Sequence, residues 1–205
     1  MVPGKDTDIP DLDERNGMLK KARNPAILGL AVSICFLTAS GMESLPRFEQ
    51  PVLITSAGQS ADVQIGNVLA KRAGLPATLS KDATQKDLGD KKTLILVIGV
   101  SMKGLGAAGL DIEQEKNRVR ALIDEAKNRG IALLCLHLGG EARRGDLSDQ
   151  MIQTFLPEAQ MAIVVKSGNT DGLFTSICQD KNIPLCEVER AADVQKPLEE
   201  IFSRD

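Results

Sequence analysis

The sequence predicts a three-layer α/β domain, doubly wound around a mainly parallel sheet in the flavodoxin-like or Rossmann-like manner. Three observations carry that reading. From Pro51 onward, short apolar runs alternate with helical stretches across Gly/Ser-rich turns, the pattern of successive βαβ units. Several runs are apolar throughout instead of alternating, as strands covered by helices on both faces must be. The turns that follow the runs are long and rich in Gly and Ser, while those that precede them are short. That asymmetry marks a sheet whose ligand edge is formed by the carboxyl ends of its strands.

Taken in order, residues 1–17 carry two cations against five carboxylates and little apolar surface, so they read as a disordered acidic preface. Met18 opens the basic segment Met-Leu-Lys-Lys-Ala-Arg, followed by the uncharged run Ala26 to Ala39 and the small residues Ala39 and Gly41. This order is that of a secretory signal peptide over residues 18–41. The run of 14 residues is short of the roughly 20 that a spanning helix needs. Such a peptide normally begins at its initiator, so translation is expected to start at Met18, with the preface a misplaced start. Cys35 stands between Ile34 and Phe36, not behind a small residue, and no lipidation is expected. Residues 42–50 read as a linker and 51–205 as a single α/β domain.

Within the domain the expected strands are Val52 to Ser56, a weaker Ala77 to Ser80, Thr93 to Val100, Ile131 to Leu138, Ala162 to Val165 and Leu185 to Val188. The strongest helix runs from Asp111 to Arg129. Asp111 and Gln114 form a capping box, Val119, Leu122, Ile123 and Ala126 share a face, and Gly130 supplies the stop. Shorter helices are expected after Ser60, Ser148, Asp171 and Asp193, each residue able to cap free amides. One weak strand after the first crossover and strong strands beyond it predict the order 2-1-3-4-5, with a sixth strand at the edge.

Composition narrows the function classes. Lys and Arg total 25 against 28 Asp and Glu, with five Phe and neither Trp nor Tyr. A nucleic-acid partner is therefore not expected, because both the basic excess and the stacking platforms are lacking. After removal of the signal segment no membrane partner is expected either, and a homodimer stays open. Cys135 reads as a small core residue, whereas Cys178 and Cys186 lie close enough in sequence to pair. No Cys/His spacing supports a metal site and no cofactor is expected.

Four loops gather at the carboxyl ends of the strands: 56–62, 101–109, 137–149 and 166–172. They supply the candidate ligand contacts Ser56, Gly58, Gln59, Ser60, Ser101, Lys103, Gly104, Gly106, Gly139, Gly140, Glu141, Arg143, Arg144, Lys166 and Asp171. Thr55-Ser-Ala-Gly-Gln-Ser60, Lys103-Gly-Leu-Gly-Ala-Ala-Gly109 and Gly139-Gly-Glu-Ala-Arg-Arg-Gly145 together resemble an uncharacterised family of exported bacterial proteins over about Pro51 to Phe202. The resemblance implies that the loops belong together and implies no activity.

Gly104 to Gly109 fits GxGxxG in form, yet it follows a later strand and lacks an acidic residue about twenty positions on, so a dinucleotide loop is not the reading. A Gly-rich turn with exposed amides beside Lys103 reads instead as an anion cradle. Arg143 and Arg144 are adjacent, so one can reach a ligand while the other pairs with Glu141 or Asp146. His137, the only histidine, stands where a strand leaves the core and is the candidate catalytic residue, a general acid or base. The primary reading is an exported single-domain protein that binds a small anionic or polar molecule. The alternatives are a hydrolase or transferase that uses His137, with Ser60 or Ser101 as nucleophile, and a protein-interaction domain. Export carries its own test: intact-mass measurement of secreted protein should find cleavage between Gly41 and Met42, and soluble extracytoplasmic protein still carrying residues 1–41 would contradict it.

Overall fold

The computed structural model describes residues 45–202; the expected preface and signal peptide lie outside the described residues. Those described belong to one compact unit, Met42–Asp205. Six strands, β1 Val52–Ala57, β2 Ala77–Leu79, β3 Thr93–Ile98, β4 Ala132–His137, β5 Met161–Val165 and β6 Leu185–Val188, form one sheet in the order β2-β1-β3-β4-β5-β6. All five pairings are parallel, so the doubly wound reading holds and the sixth strand is present. The weak second strand is the short edge strand beside β1.

Helices α1 Asp62–Arg72 and α6 Gln195–Phe202 cover one face, and α3 Ile112–Asn128, α4 Asp146–Phe155 and α5 Leu173–Lys181 the other. Because successive strand residues point to opposite faces, each strand feeds two cores. Leu53, Leu94, Leu96, Ile98, Leu133 and Cys135 meet α3 to α5. Val52, Ile54, Ile95, Val97, Leu134 and Leu136 meet α1 and α6. This is why the runs of β1 and β3 show no polar alternation. The capping box on α3 is made as expected, with Asp111 Oδ1 accepting from Gln114 N at 2.7 Å and Gln114 Oε1 accepting from Asp111 N at 2.9 Å. Phe48, in the expected linker, instead docks on α6: its N–H donates to Ile201 O at 2.9 Å and its ring lies 5.7 Å from that of Phe202. Among the described residues no helix is long and apolar enough to cross a membrane.

Strand period also decides the cysteines. Leu185 packs against the α3 to α5 face, so Cys186, one residue on, packs against the α1 and α6 face, while Cys178, on α5 itself, is buried in the same cluster as Cys135. The pairing that their spacing left open is not made: Cys178 and Cys186 are free thiols on opposite sides of the sheet. Joining them would require a one-residue slip that turns the whole of β6 over. Alkylation of unreduced, denatured protein should modify both Cys178 and Cys186; recovery of a peptide linking them would overturn this register.

Candidate functional site

The loop leaving β1 is held from below by a buried carboxylate. Glu115 on α3 is 0% exposed and accepts from Gly58 N at 2.8 Å and from Gln59 Nε2 at 3.2 Å. Arg118, one turn on, donates to it from Nε and Nη2, each at 2.8 Å. The same guanidinium reaches Ala83 O at 2.7 Å and Ser56 O at 2.6 Å. Burial by itself raises the Glu115 carboxyl, but Arg118 and the Gly58 and Gln59 donors outweigh it and hold the group below its ordinary value. Held in this way, Gly58 at φ +109° and Gln59 at φ +58° turn the chain inward. Of the expected ligand contacts here, Ser56, Gly58, Gln59 and Ser60 are all buried. The Ser60 hydroxyl accepts from Asp62 N at 3.1 Å, satisfying a first-turn amide of α1.

The expected Gly-rich cradle is a helix, α2 Met102–Ala108. Ser101 caps it, accepting from Gly104 N at 3.1 Å, and Leu105 N donates to Ser101 O at 2.8 Å. The amides of Gly104 onward therefore serve the helix and cannot line an open turn. Glycine disfavours helices by roughly 1 kcal/mol, and the compensation is close packing, since a Cβ on Gly104 would overlap the Gln59 carbonyl. Lys103 and Gly106 are exposed on this short helix.

Arg143 and Arg144 diverge, as adjacency allowed, but to other partners than Glu141 and Asp146. Arg144 Nε donates to Asp149 at 2.6 Å, while Nη1 and Nη2 donate to Asp171 at 2.9 and 2.8 Å. Nη1 also reaches Gly168 O, and the guanidinium carbon lies 5.8 Å from the Phe174 ring centroid. This arginine is committed to a clasp, and hydrogen bonds from it hold the Asp171 carboxyl well below the usual range. Arg143 is different. Its Nε donates to the largely buried Asp62 at 3.1 Å, its stem lies against Gly99 and Gly139, and its side chain is 34% exposed. Its Nη groups have no partner among the described residues. Glu141 is exposed nearby in sequence, and Lys166 is paired with Glu189 at 3.1 Å. Gly140, at φ +57°, packs against Ser167.

His137 is 1% exposed. Its Nδ1 lies 3.0 Å from Ile98 O, its Nε2 lies 3.1 Å from Gly140 O, and its ring is 5.0 Å from that of Phe174. Burial, the largest influence, lowers its pKa from the usual 6.5. The contact with Phe174 puts the ring on the α5 face, whereas Arg143 contacts Asp62 of α1. Among the described residues no hydrogen bond joins the two candidates, although Asp62, the partner of Arg143, lies near enough to favour a charge on the ring. Glu115, Arg118 and the Asp62 partner of Arg143 were missed as organising residues. Glu115 shares the phase of Val119, Leu122 and Ala126 at i+4, i+7 and i+11, and a carboxylate on the apolar stripe of α3 was the available signal. Among the described residues no three His, Cys, Asp or Glu side chains gather to hold a metal.

A family model described as a domain of unknown function, DUF6305, matches residues 49–202. The chain belongs to this family. Comparison with curated proteins finds no match. Among solved structures, a protein titled as lipolytic and of the G-D-S-L family from Desulfitobacterium hafniense shares 13% identity and a TM-score of 0.32, with 69% of this chain and 77% of that one covered. A GDSL-like lipase from Bacteroides thetaiotaomicron gives 10% identity, a TM-score of 0.31 and 66% coverage of each chain. Esterase EstA from Pseudoalteromonas gives 8%, 0.29, 74% and 94%. Likeness at this level transfers no activity to this DUF6305 chain.

Glu115→Ala should cost about 3–5 kcal/mol, because it takes the carboxylate from the largely buried Arg118; urea denaturation checks this. The contribution of Glu115 is complete above about pH 4.5 and is lost as pH falls through the lower folded value. Glu115→Gln should accordingly flatten the acid limb of the stability profile, and an unchanged limb would contradict the assignment.

Proposed function

We propose that the chain is an exported binding module that takes a small anionic ligand at the carboxyl edge of the sheet, with Arg143 as its principal contact. The observation that carries this reading is the restraint on Arg143. Asp62 fixes Nε and the glycine surfaces of Gly99 and Gly139 support the stem, leaving Nη1 and Nη2 without a partner among the described residues on a side chain that is 34% exposed. A guanidinium oriented in advance loses little freedom when it takes a planar carboxylate or a phosphate edge. Its place beside the strands where the winding direction reverses is where sheets of this order hold ligands. Lys103 adds exposed positive charge on the same edge, and export rests on the charge order ahead of Gly41. Acid/base catalysis by His137 has less support, since both ring nitrogens face main-chain carbonyls inside the protein.

A thermal-stability screen of small carboxylates and phosphates tests the reading, a ligand at 100 times its Kd adding about 2.7 kcal/mol. For any anion that binds, Arg143→Ala should weaken affinity by about 1.5–3 kcal/mol. Unchanged affinity in that variant would defeat the proposal, and a turnover abolished by His137→Gln would transfer the role to catalysis.

A further inference from the structure

Arg118, Arg143 and Arg144 all pair with carboxylates at this edge, but only the pairs of Arg118 and Arg144 are closed. Arg118 engages both oxygens of Glu115, which Gly58 and Gln59 reach as well. Arg144 engages both oxygens of Asp149 and both of Asp171. A guanidinium and a carboxylate frequently meet in this way, through two parallel hydrogen bonds. Arg143 and Asp62 instead meet at a single point, Nε to Oδ2 at 3.1 Å. Among the described residues, Asp62 Oδ1 and both Arg143 Nη atoms are left without a hydrogen-bond partner. The Asp62 side chain is nevertheless only 10% exposed, and Gly139 is packed so closely on the pair that a Cβ there would stand 2.7 Å from Oδ2 and overlap the Arg143 stem. The polar side-chain atoms sealed from solvent without a partner are Ser56 Oγ and Asn67 Oδ1 among the described residues. Asp62 Oδ1 is not one of them, so this nine-tenths buried carboxylate keeps one open acceptor that solvent reaches.

We infer that the ligand of this site is a zwitterionic α-amino acid, with its carboxylate on the Nη groups of Arg143 and its ammonium on Oδ1 of Asp62. This rests on the role proposed for Arg143 and narrows what that residue takes. The pair is neutral in sum, so a simple anion is attracted by Arg143 and repelled by the Asp62 carboxylate bonded to it. Such an anion would also cover Oδ1 without offering it a donor, and an acceptor deprived of water in that way costs the complex affinity. A simple cation meets the opposite conflict. A molecule that carries both charges a few bonds apart satisfies the two groups together. In an α-amino acid the ammonium and the carboxylate share one carbon. Covalent geometry ties Oδ1 to Oδ2 and each Nη to Nε across the one hydrogen bond, so the open acceptor and the open donors fall within the span of that head group. The head is held by parts that are themselves fixed, since Ser60 anchors Asp62 N at 3.1 Å and Gly99 and Gly139 carry the Arg143 stem.

Calorimetric titration of the intact protein with three matched probes tests this. Glycine carries both charges, glycolate has a hydroxyl in place of the ammonium, and glycinamide has an amide in place of the carboxylate. Glycine should bind more tightly than either analogue by about tenfold or more, the worth of one charge-assisted hydrogen bond. L-Alanine against lactate should repeat the preference. Asp62→Asn keeps the size of the side chain and an acceptor for Arg143 Nε but removes the charge, so glycine and glycolate should then bind alike. Arg143→Ala should weaken both. The comparison of probes on the unaltered protein decides the matter even where a variant does not fold. Glycolate bound as tightly as glycine, and lost in Arg143→Ala, would overturn the amino-acid assignment and leave the anion reading standing. A glycine preference that survives Asp62→Asn would also overturn it. Glycinamide bound as tightly as glycine, or no binding of these probes or of phosphate at millimolar concentration, would remove both ideas.

Discussion

Taking the Glu115 carboxylate out of water costs several kcal/mol, and the cost is offset only because Arg118, Gly58 and Gln59 converge on it with hydrogen bonds of 2.8–3.2 Å. The edge of the sheet is arranged around that requirement. Satisfying Glu115 drives the β1 loop inward and gives Gln59 a left-handed backbone, and the Gln59 carbonyl then becomes the surface on which Gly104 of α2 packs. Ser101 N, at the start of α2, donates back to Gly58 O at 2.8 Å. Two of the four loops are therefore parts of one braced structure, and their polar atoms are consumed in holding it together.

Arg144 braces the other two loops in a similar way, spanning Asp149, Asp171 and Gly168 while lying over Phe174. What distinguishes Arg143 is that its bracing is incomplete. One carboxylate fixes its Nε, and the rest of the fork has no partner among the described residues. Adjacent arginines at the end of the Gly140–Arg143 turn that precedes α4 thus divide the work, one consumed by structure and one left for chemistry, because consecutive residues on a turn point apart.

Layering, strand order and the gathering of four loops on one edge were legible in the sequence, because apolar runs without alternation require two covered faces and short turns can lie only at the opposite edge. The role of single loop residues was not. Ser56 to Ser60 look like a ligand loop in composition, and only the carboxylate beneath them, 57 and 56 residues from the Gly58 and Gln59 it holds, turns them inward. Gly104 to Gly109 look like an open turn, since the packing of Gly104 on a distant carbonyl has no local sign. The separation of Cys178 from Cys186 depends on which face of β6 each residue takes, and a four-residue strand gives no pattern long enough to fix that phase.

The central claim is that the guanidinium of Arg143 is the oriented, unclaimed donor of this edge, while that of Arg144 is fully engaged. Side-chain nitrogen resonances of the two arginines, followed during titration with a small carboxylate or phosphate, test it most directly. The Arg143 Nη signals should move and saturate with the ligand while those of Arg144 stay fixed; movement at Arg144 with none at Arg143 would contradict the account.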